Sequence, residues 1–306
     1  MSPTVSIHDE VRDALAEGRG VVALESTIFS NLGLPSPANA EALRRCETAI
    51  RAAGAVPAVT AVLDGVARVG LGPNEAARIL GPARKAAERD LAVALAQGWE
   101  FGATTVSAAV ALAHAAGVSV FATGGIGGVH RGAETTGDIS ADLDAMANHP
   151  VVVVSAGAKA FLDLGRTLEY LETYGVPVLG WNTDRFPAFY TRDSGFQVPH
   201  SVATAAEVAS VLRHRTRPHT GVLVAVPIPE ADALDQRELD GVVVRALADA
   251  AAAGVRGAAL TPFVLGRIAD ATAGRSVPAN LALAEHNAQV GAAIAVAVAQ
   301  AVAGPS

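Results

Sequence analysis

Cysteine is almost absent from this 306-residue chain: Cys46 stands alone, so no internal disulfide can form and no cysteine-built metal site exists. Aromatic residues are scarce, at 4%. No apolar run reaches the roughly 18–20 residues that a bilayer span requires. The longest candidate, Val290 to Val302, is short, rich in alanine and interrupted by Gln300. The first residues, Met1 to Asp13, carry acids at once and lack an apolar stretch, so they do not read as a secretory leader. A net charge of −7 comes with no dense basic surface, which argues against a grip on nucleic acid. The nearest approach to one, Arg213-His214-Arg215-Thr216-Arg217, reads as a solvated connection. These absences predict a cytoplasmic protein whose partners are neither membranes nor nucleic acids.

What is present suits an α/β domain. The hydrophobic fraction is 51% and there are 30 glycines, enough apolar surface for a large core with small residues at close helix–strand contacts. Val21 to Leu24 reads as a strand ending at Glu25-Ser26-Thr27, and a helix is expected over 38–53. Val56 to Leu63, Asp64-Gly65 and Val66 to Val69 read as a β-hairpin. Helices are expected over 75–80 and 90–96, and another after Gly102-Ala103-Thr104-Thr105. Strands are expected over 118–122, 151–154, 176–179 and 221–226. A long helix is expected from Glu230 to Ala253 and a last one from Pro278 to Val302. Strands alternating with helices predict a single domain over 1–306, an α/β/α sandwich around a largely parallel or mixed sheet. The stretch Trp181 to Ser201 is long and polar with local aromatics, as lids and interfaces often are.

Lysine is the second scarcity. Lys85 and Lys159 are the only two lysines, and the other basic side chains are arginines. An arginine keeps its proton in a protein, whereas a desolvated lysine can lose its proton and become a nucleophile. Lys159 follows a four-valine strand and the small-residue turn Ser155-Ala156-Gly157-Ala158, at a strand end where α/β sheets bind ligands. An apolar surround there would depress its pKa. Lys85 sits in a more polar context and reads equally well as a solvated helix face. Glu25, also at a strand end, can be a general acid with a raised pKa or a cap for the next element. In Asp138-Ile139-Ser140-Ala141-Asp142, a helix start would place both carboxylates on one face, as a hard-cation site or as acids favoured by the helix dipole. Thr123-Gly124-Gly125-Ile126-Gly127-Gly128 follows a strand and can cradle a phosphate or simply turn. Thr105 adds a hydroxyl at a helix start, and His130 and Arg131 add positive charge nearby.

Taken in order, these strings resemble the pseudouridine-5′-phosphate glycosidases, the indigoidine synthase A-like family. The match includes Ala23 to Thr27, Lys85 with Arg89-Asp90-Leu91, Gly102 to Val106, Thr123 to Arg131, Asp138 to Asp142 and Ser155 to Lys159. It continues through Thr167 to Thr173, Pro187 to Tyr190, Pro227 to Glu230, Thr261-Pro262-Phe263 and Ala279-Asn280. Two positions depart from the family pattern: Val226 stands where asparagine is expected, and the turn after Ser30 is one residue longer. The resemblance implies reversible cleavage of the C–C bond between ribose 5-phosphate and uracil, with Lys159 as nucleophile and Glu25 as proton donor. Asp142 would handle protons on uracil. Lys85, Thr105, Val106, His130, Ser140, Ala141, Asp142 and Asn280 would contact substrate. Asp138 would hold one manganese ion per subunit of a homotrimer. The competing readings are a Schiff-base sugar-phosphate aldolase or lyase, and a non-catalytic sugar-phosphate sensor.

Overall fold

The computed structural model describes residues 5–303; the ends of the domain expected over 1–306 lie outside the described residues. The strands are β1 (Val5–Ile7), β2 (Val21–Leu24), β3 (Val56–Leu63), β4 (Val66–Val69), β5 (Arg84–Ala86) and β6 (Phe101–Thr104). They continue as β7 (Val120–Ala122), β8 (Val152–Ser155), β9 (Val178–Trp181), β10 (His200–Val202) and β11 (Val222–Ala225). The first six helices are α1 (Asp9–Ala16), α2 (Ala38–Ala52), α3 (Pro73–Arg78), α4 (Glu88–Ala96), α5 (Val106–Ala115) and α6 (Ala133–Thr136). The others are α7 (Ala141–Asn148), α8 (Leu164–Thr173), α9 (Ala205–His214), α10 (Gln236–Ala252), α11 (Leu260–Ala271) and α12 (Ser276–Ala303).

The sheet runs β1-β4-β3-β2-β7-β8-β11-β9-β10, and β6 and β5 branch from β3. Among the described residues only β3–β4 and β3–β6 pair antiparallel, so the expectation of a largely parallel or mixed α/β sheet holds. β2, β3, β7, β8 and β11 are short, apolar and buried throughout or nearly so, as strands covered on both faces are. α5 packs on one side with α4 and α7, and α12 packs on the other with α2 and α9. The Asp64-Gly65 turn joins β3 to β4 with both residues at positive φ, +51° and +72°, as a twisted two-residue hairpin requires.

β3 is the fork of the sheet. Its first half pairs with β2 and its second half with β6, so β2 and β6 part from each other there. The ladder groups freed at the split are met by buried hydroxyls. Thr60 Oγ1 donates to the Leu24 carbonyl at 3.0 Å, Thr104 Oγ1 accepts the Ser26 N–H at 3.1 Å, and Ser26 Oγ accepts the Thr104 N–H at 2.9 Å. A split lined with apolar residues would strand these backbone groups, at about 1–3 kcal/mol each. The opening between the two branches is where the cavity lies.

Several boundaries differ from the sequence expectation. The helix expected from Glu230 is a 3₁₀ turn over Glu230–Asp232 followed by α10, because Asp235 accepts the Glu238 N–H at 2.9 Å and starts the helix there. α12 begins at Ser276, two residues before Pro278, and runs for 28 residues. By length and composition alone it is long and apolar enough to cross a membrane, unlike the shorter run read from the sequence. In the fold it is a core helix, with Leu283, Ala288, Ala292 and Ile294 buried against the sheet and α2. Asp138 and Asp142 do not share a helix face. Ser140 caps α7 by accepting the Asp142 N–H, while Asp138 precedes the helix, next to the bridge between Val129 and Ile139, its carbonyl accepting the His130 N–H at 3.0 Å. Lys85 lies on β5, paired opposite Ala103, rather than on a solvated helix.

Candidate active site

A cavity of about 330 Å³ opens where β2, β6, β7 and β8 end, a size suited to a small metabolite. Every residue singled out from the sequence as catalytic, substrate-binding or metal-binding lines it: Glu25, Lys159, Lys85, Thr105, Val106, His130, Ser140, Ala141, Asp142, Asn280 and Asp138. The strand ends bring them together from positions up to 255 residues apart in the chain, Glu25 to Asn280.

Glu25 is the first residue beyond β2 and is only 8% exposed. Thr123, the first residue beyond β7, donates its hydroxyl to Glu25 Oε1 at 2.5 Å. Burial raises the Glu25 pKa, against the opposing pull of the Lys159 charge and the Thr123 hydrogen bond. Lys159 sits beyond β8, half-buried, its Nζ donating to the Gly125 carbonyl at 2.8 Å. Burial, and then the like charge of Lys159, push the pKa of Lys85 down. An acid favoured in its neutral form and two amines thus share one enclosed space.

The opposite wall uses its charge differently. Asp142 is 7% exposed, and its two oxygens accept the Ser107 N–H at 3.0 Å and the Gly127 N–H at 2.8 Å. It thereby ties the start of α5 to the glycine loop. Thr105 occupies the cap position of α5, so the helix N-terminus and its Val106 face the cavity, an arrangement that favours an anion. Asp138 stands beside His130, with Oδ2 to Nδ1 at 4.0 Å, and burial pushes the pKa of His130 down. Arg131 faces a neighbouring depression with Phe196 and Asp240 instead of this cavity.

No group of three or more His, Cys, Asp or Glu among the described residues is arranged to hold a metal ion. The Asp138 carboxylate, partly exposed at the cavity wall, is nonetheless a hard donor in the cavity that the α5 N-terminus faces. That set fits a divalent cation held by one carboxylate and completed by water and substrate phosphate, the arrangement magnesium-like ions favour.

Five further residues contribute, of which the sequence reading held only Phe189 and Thr261, inside matching strings and without a role. Phe189 closes one side with its ring, from a backbone in the left-handed region at φ +63°. Gly257, Thr261 and Leu265 reach the cavity from α11 and the turn before it, elements absent from the sequence reading. Asn287, buried on α12, binds the carbonyls behind the site; beside His286 and Gln289 in a largely apolar helix, it carried no distinguishing sequence signal.

The sequence matches the family described as indigoidine synthase A like protein over residues 10–297. The chain belongs to that family. It is 52% identical over 301 residues to a pseudouridine-5′-phosphate glycosidase of Methylobacterium nodulans, covering 97% of this chain and 88% of the relative. Another enzyme of that name, from Caldanaerobacter subterraneus subsp. tengcongensis, is 50% identical, with 97% of each chain covered. Among solved structures, the prealnumycin C-glycosynthase AlnA in complex with ribulose 5-phosphate superposes with a TM-score of 0.90 at 37% identity, over 98% of both chains. An indigoidine synthase A-like protein from Thermotoga maritima gives a TM-score of 0.86 at 32% identity, again over 98% of both.

Proposed function

We propose that this family member is a pseudouridine-5′-phosphate glycosidase, which reversibly cleaves its substrate with water to uracil and ribose 5-phosphate through a covalent lysine–ribose adduct. The observation that carries the chemistry is the meeting of Glu25 and Lys159 in one cavity beside Lys85. The near-full-length likeness to enzymes of that name supports the substrate.

A C-nucleoside has a carbon leaving group, so the enzyme must supply electrons for the break. Glu25, whose neutral form is favoured by burial, donates its proton to the ribose ring oxygen as the ring opens. The Lys159 amine bonds to C1′ and sheds a proton to water, which restores its lone pair. Uracil C5 then takes a proton as the amine lone pair forms the C1′–N double bond and the C1′–C5 pair restores the pyrimidine double bond. Water hydrolyses the resulting Schiff base, releasing ribose 5-phosphate and the free amine. Asp142 and Lys85 flank this space: Asp142 holds the start of α5 and the glycine loop around the base, and water in the cavity brings the proton to C5. The α5 N-terminus, Ser140, His130 and Asn280 surround the substrate's polar groups.

Asp138 would hold a manganese ion, whose contribution when bound is to neutralise substrate negative charge. The homotrimer implied by the family resemblance and a cytoplasmic setting, in keeping with the single buried thiol Cys46, complete the proposal. Loss of pseudouridine 5′-phosphate, followed by its ultraviolet change, tests the activity directly. Turnover that falls with a chelator and returns with manganese supports the whole reading, and no turnover with either manganese or magnesium overturns it. Sedimentation velocity tests the trimer.

A further inference from the structure

The reacting groups hang from one short segment. Thr123 holds Glu25 by its hydroxyl, and two residues later the Gly125 carbonyl holds the Lys159 amine. Beyond the end of β7 the Thr123 N–H still donates to the Val154 carbonyl on β8 at 3.0 Å, but among the described residues no backbone N–H reaches the Thr123 carbonyl. Asn287 takes that role: Nδ2 donates to the Thr123 carbonyl at 2.8 Å and to the Gly124 carbonyl at 3.2 Å. Two carbonyl acceptors fix which end of the amide points there.

The rest of Asn287 has no structural reward. It is 1% exposed and its Oδ1 finds no hydrogen-bond partner among the described residues, a costly arrangement that a leucine of similar shape would avoid at that atom. One helical turn on, Gly291 lets α12 lie against β7; a Cβ there would come within 3.2 Å of the Ala122 Cβ. On the far side, Phe189 lies over Gly125, where a Cβ would collide with the ring, and it keeps its left-handed backbone to do so. The segment is held from both sides.

We infer that Asn287 is a positioning residue for the reaction: its amide fixes the Thr123 peptide, so that the Thr123 hydroxyl stays on Glu25 and the Gly125 carbonyl stays under Lys159. The inference rests on the roles given above to Glu25 and Lys159, but its structural half can be read without them.

The test compares Asn287→Leu, Thr123→Val and the double variant with the parent. In ligand-free protein labelled with carboxyl-¹³C glutamate, the Glu25 signal is assigned by its absence in Glu25→Gln and titrated. Because the Thr123 hydrogen bond lowers the Glu25 pKa, losing it moves the titration to higher pH. We expect Asn287→Leu to move it in the same direction and by a similar extent as Thr123→Val, and the double variant to move it no further. In turnover, Asn287→Leu lowers kcat by roughly tenfold to a hundredfold with KM little changed. Should Asn287→Leu fail to fold, Asn287→Ala gives the same readings. An unmoved Glu25 titration, or shifts that simply add in the double variant, overturns the inference. Absence of turnover in the parent would sink the proposed activity but leave the titration to decide the positioning claim.

Discussion

The two walls of the cavity handle charge in opposite ways. On the β2–β7–β8 wall, Glu25 and Lys159 each have one short polar contact, the Thr123 hydroxyl and the Gly125 carbonyl, and otherwise face the cavity. On the α5–α7 wall, both oxygens of Asp142 are engaged by backbone N–H groups. Each wall buries a carboxylate, at 8% and 7% exposure, so burial alone does not separate them. The hydrogen bonds do. A carboxylate with few partners is pushed toward its neutral form and can give up a proton, whereas one that accepts two N–H groups holds structure in place. Reactivity resides on the first wall and shape on the second.

Variants that trade these roles would break the comparison. The largest effect is expected for Lys159→Ala: turnover falls by roughly 10³-fold or more, with the circular dichroism spectrum and unfolding temperature nearly unchanged, since only a half-buried side chain is lost. A sugar-phosphate sensor would instead bind ribose 5-phosphate as tightly in that variant, and calorimetry reads the difference. Glu25→Gln comes next, with cleavage reduced about 10²–10⁴-fold. Its pH behaviour is the sharper reading. Burial raises the Glu25 pKa above its ordinary 4.5, so the folded state holds this proton more tightly than the unfolded chain does. The stabilising contribution is full below the ordinary value and is lost as pH rises through the folded one. Thermal unfolding should therefore show Glu25→Gln gaining on the parent as pH rises above 4.5; a constant difference would mean that Glu25 is ionised in the fold.

The smallest catalytic effect belongs to Asp142→Asn. The amide offers one oxygen to two N–H donors, so one is left without an acceptor at about 1–3 kcal/mol of stability. Urea unfolding should show that loss, together with a raised KM and a kcat within about tenfold of the parent. A collapse of kcat without loss of stability would assign Asp142 to the chemistry and erase the contrast between the walls.

Much of this was legible in the sequence because it rests on local signals. Four consecutive valines before Lys159, an Asp-Gly turn and the rarity of lysine each speak for themselves. The strand-end placement of Glu25 and Lys159 followed from those signals. The fork at β3 was not legible, because a strand of 8 residues gives no sign that its two halves pair with different neighbours. The solvated-helix alternative for Lys85 fails for a related reason: β5 is only 3 residues long, and its pairing with β6 outweighs a polar, helix-like composition. The helical spacing of Asp138 and Asp142 misled because Ser140, lying between them, was the better cap. Asn287 and Phe189 act through contacts with segments more than sixty residues away, which no local pattern records.

The most direct test of the central claim is borohydride trapping with ribose 5-phosphate, followed by peptide mass mapping. The account predicts a single pentose phosphate adduct on the peptide containing Lys159, absent from Lys159→Ala. An adduct on Lys85 instead, or none at all in an enzyme that turns over, would contradict it.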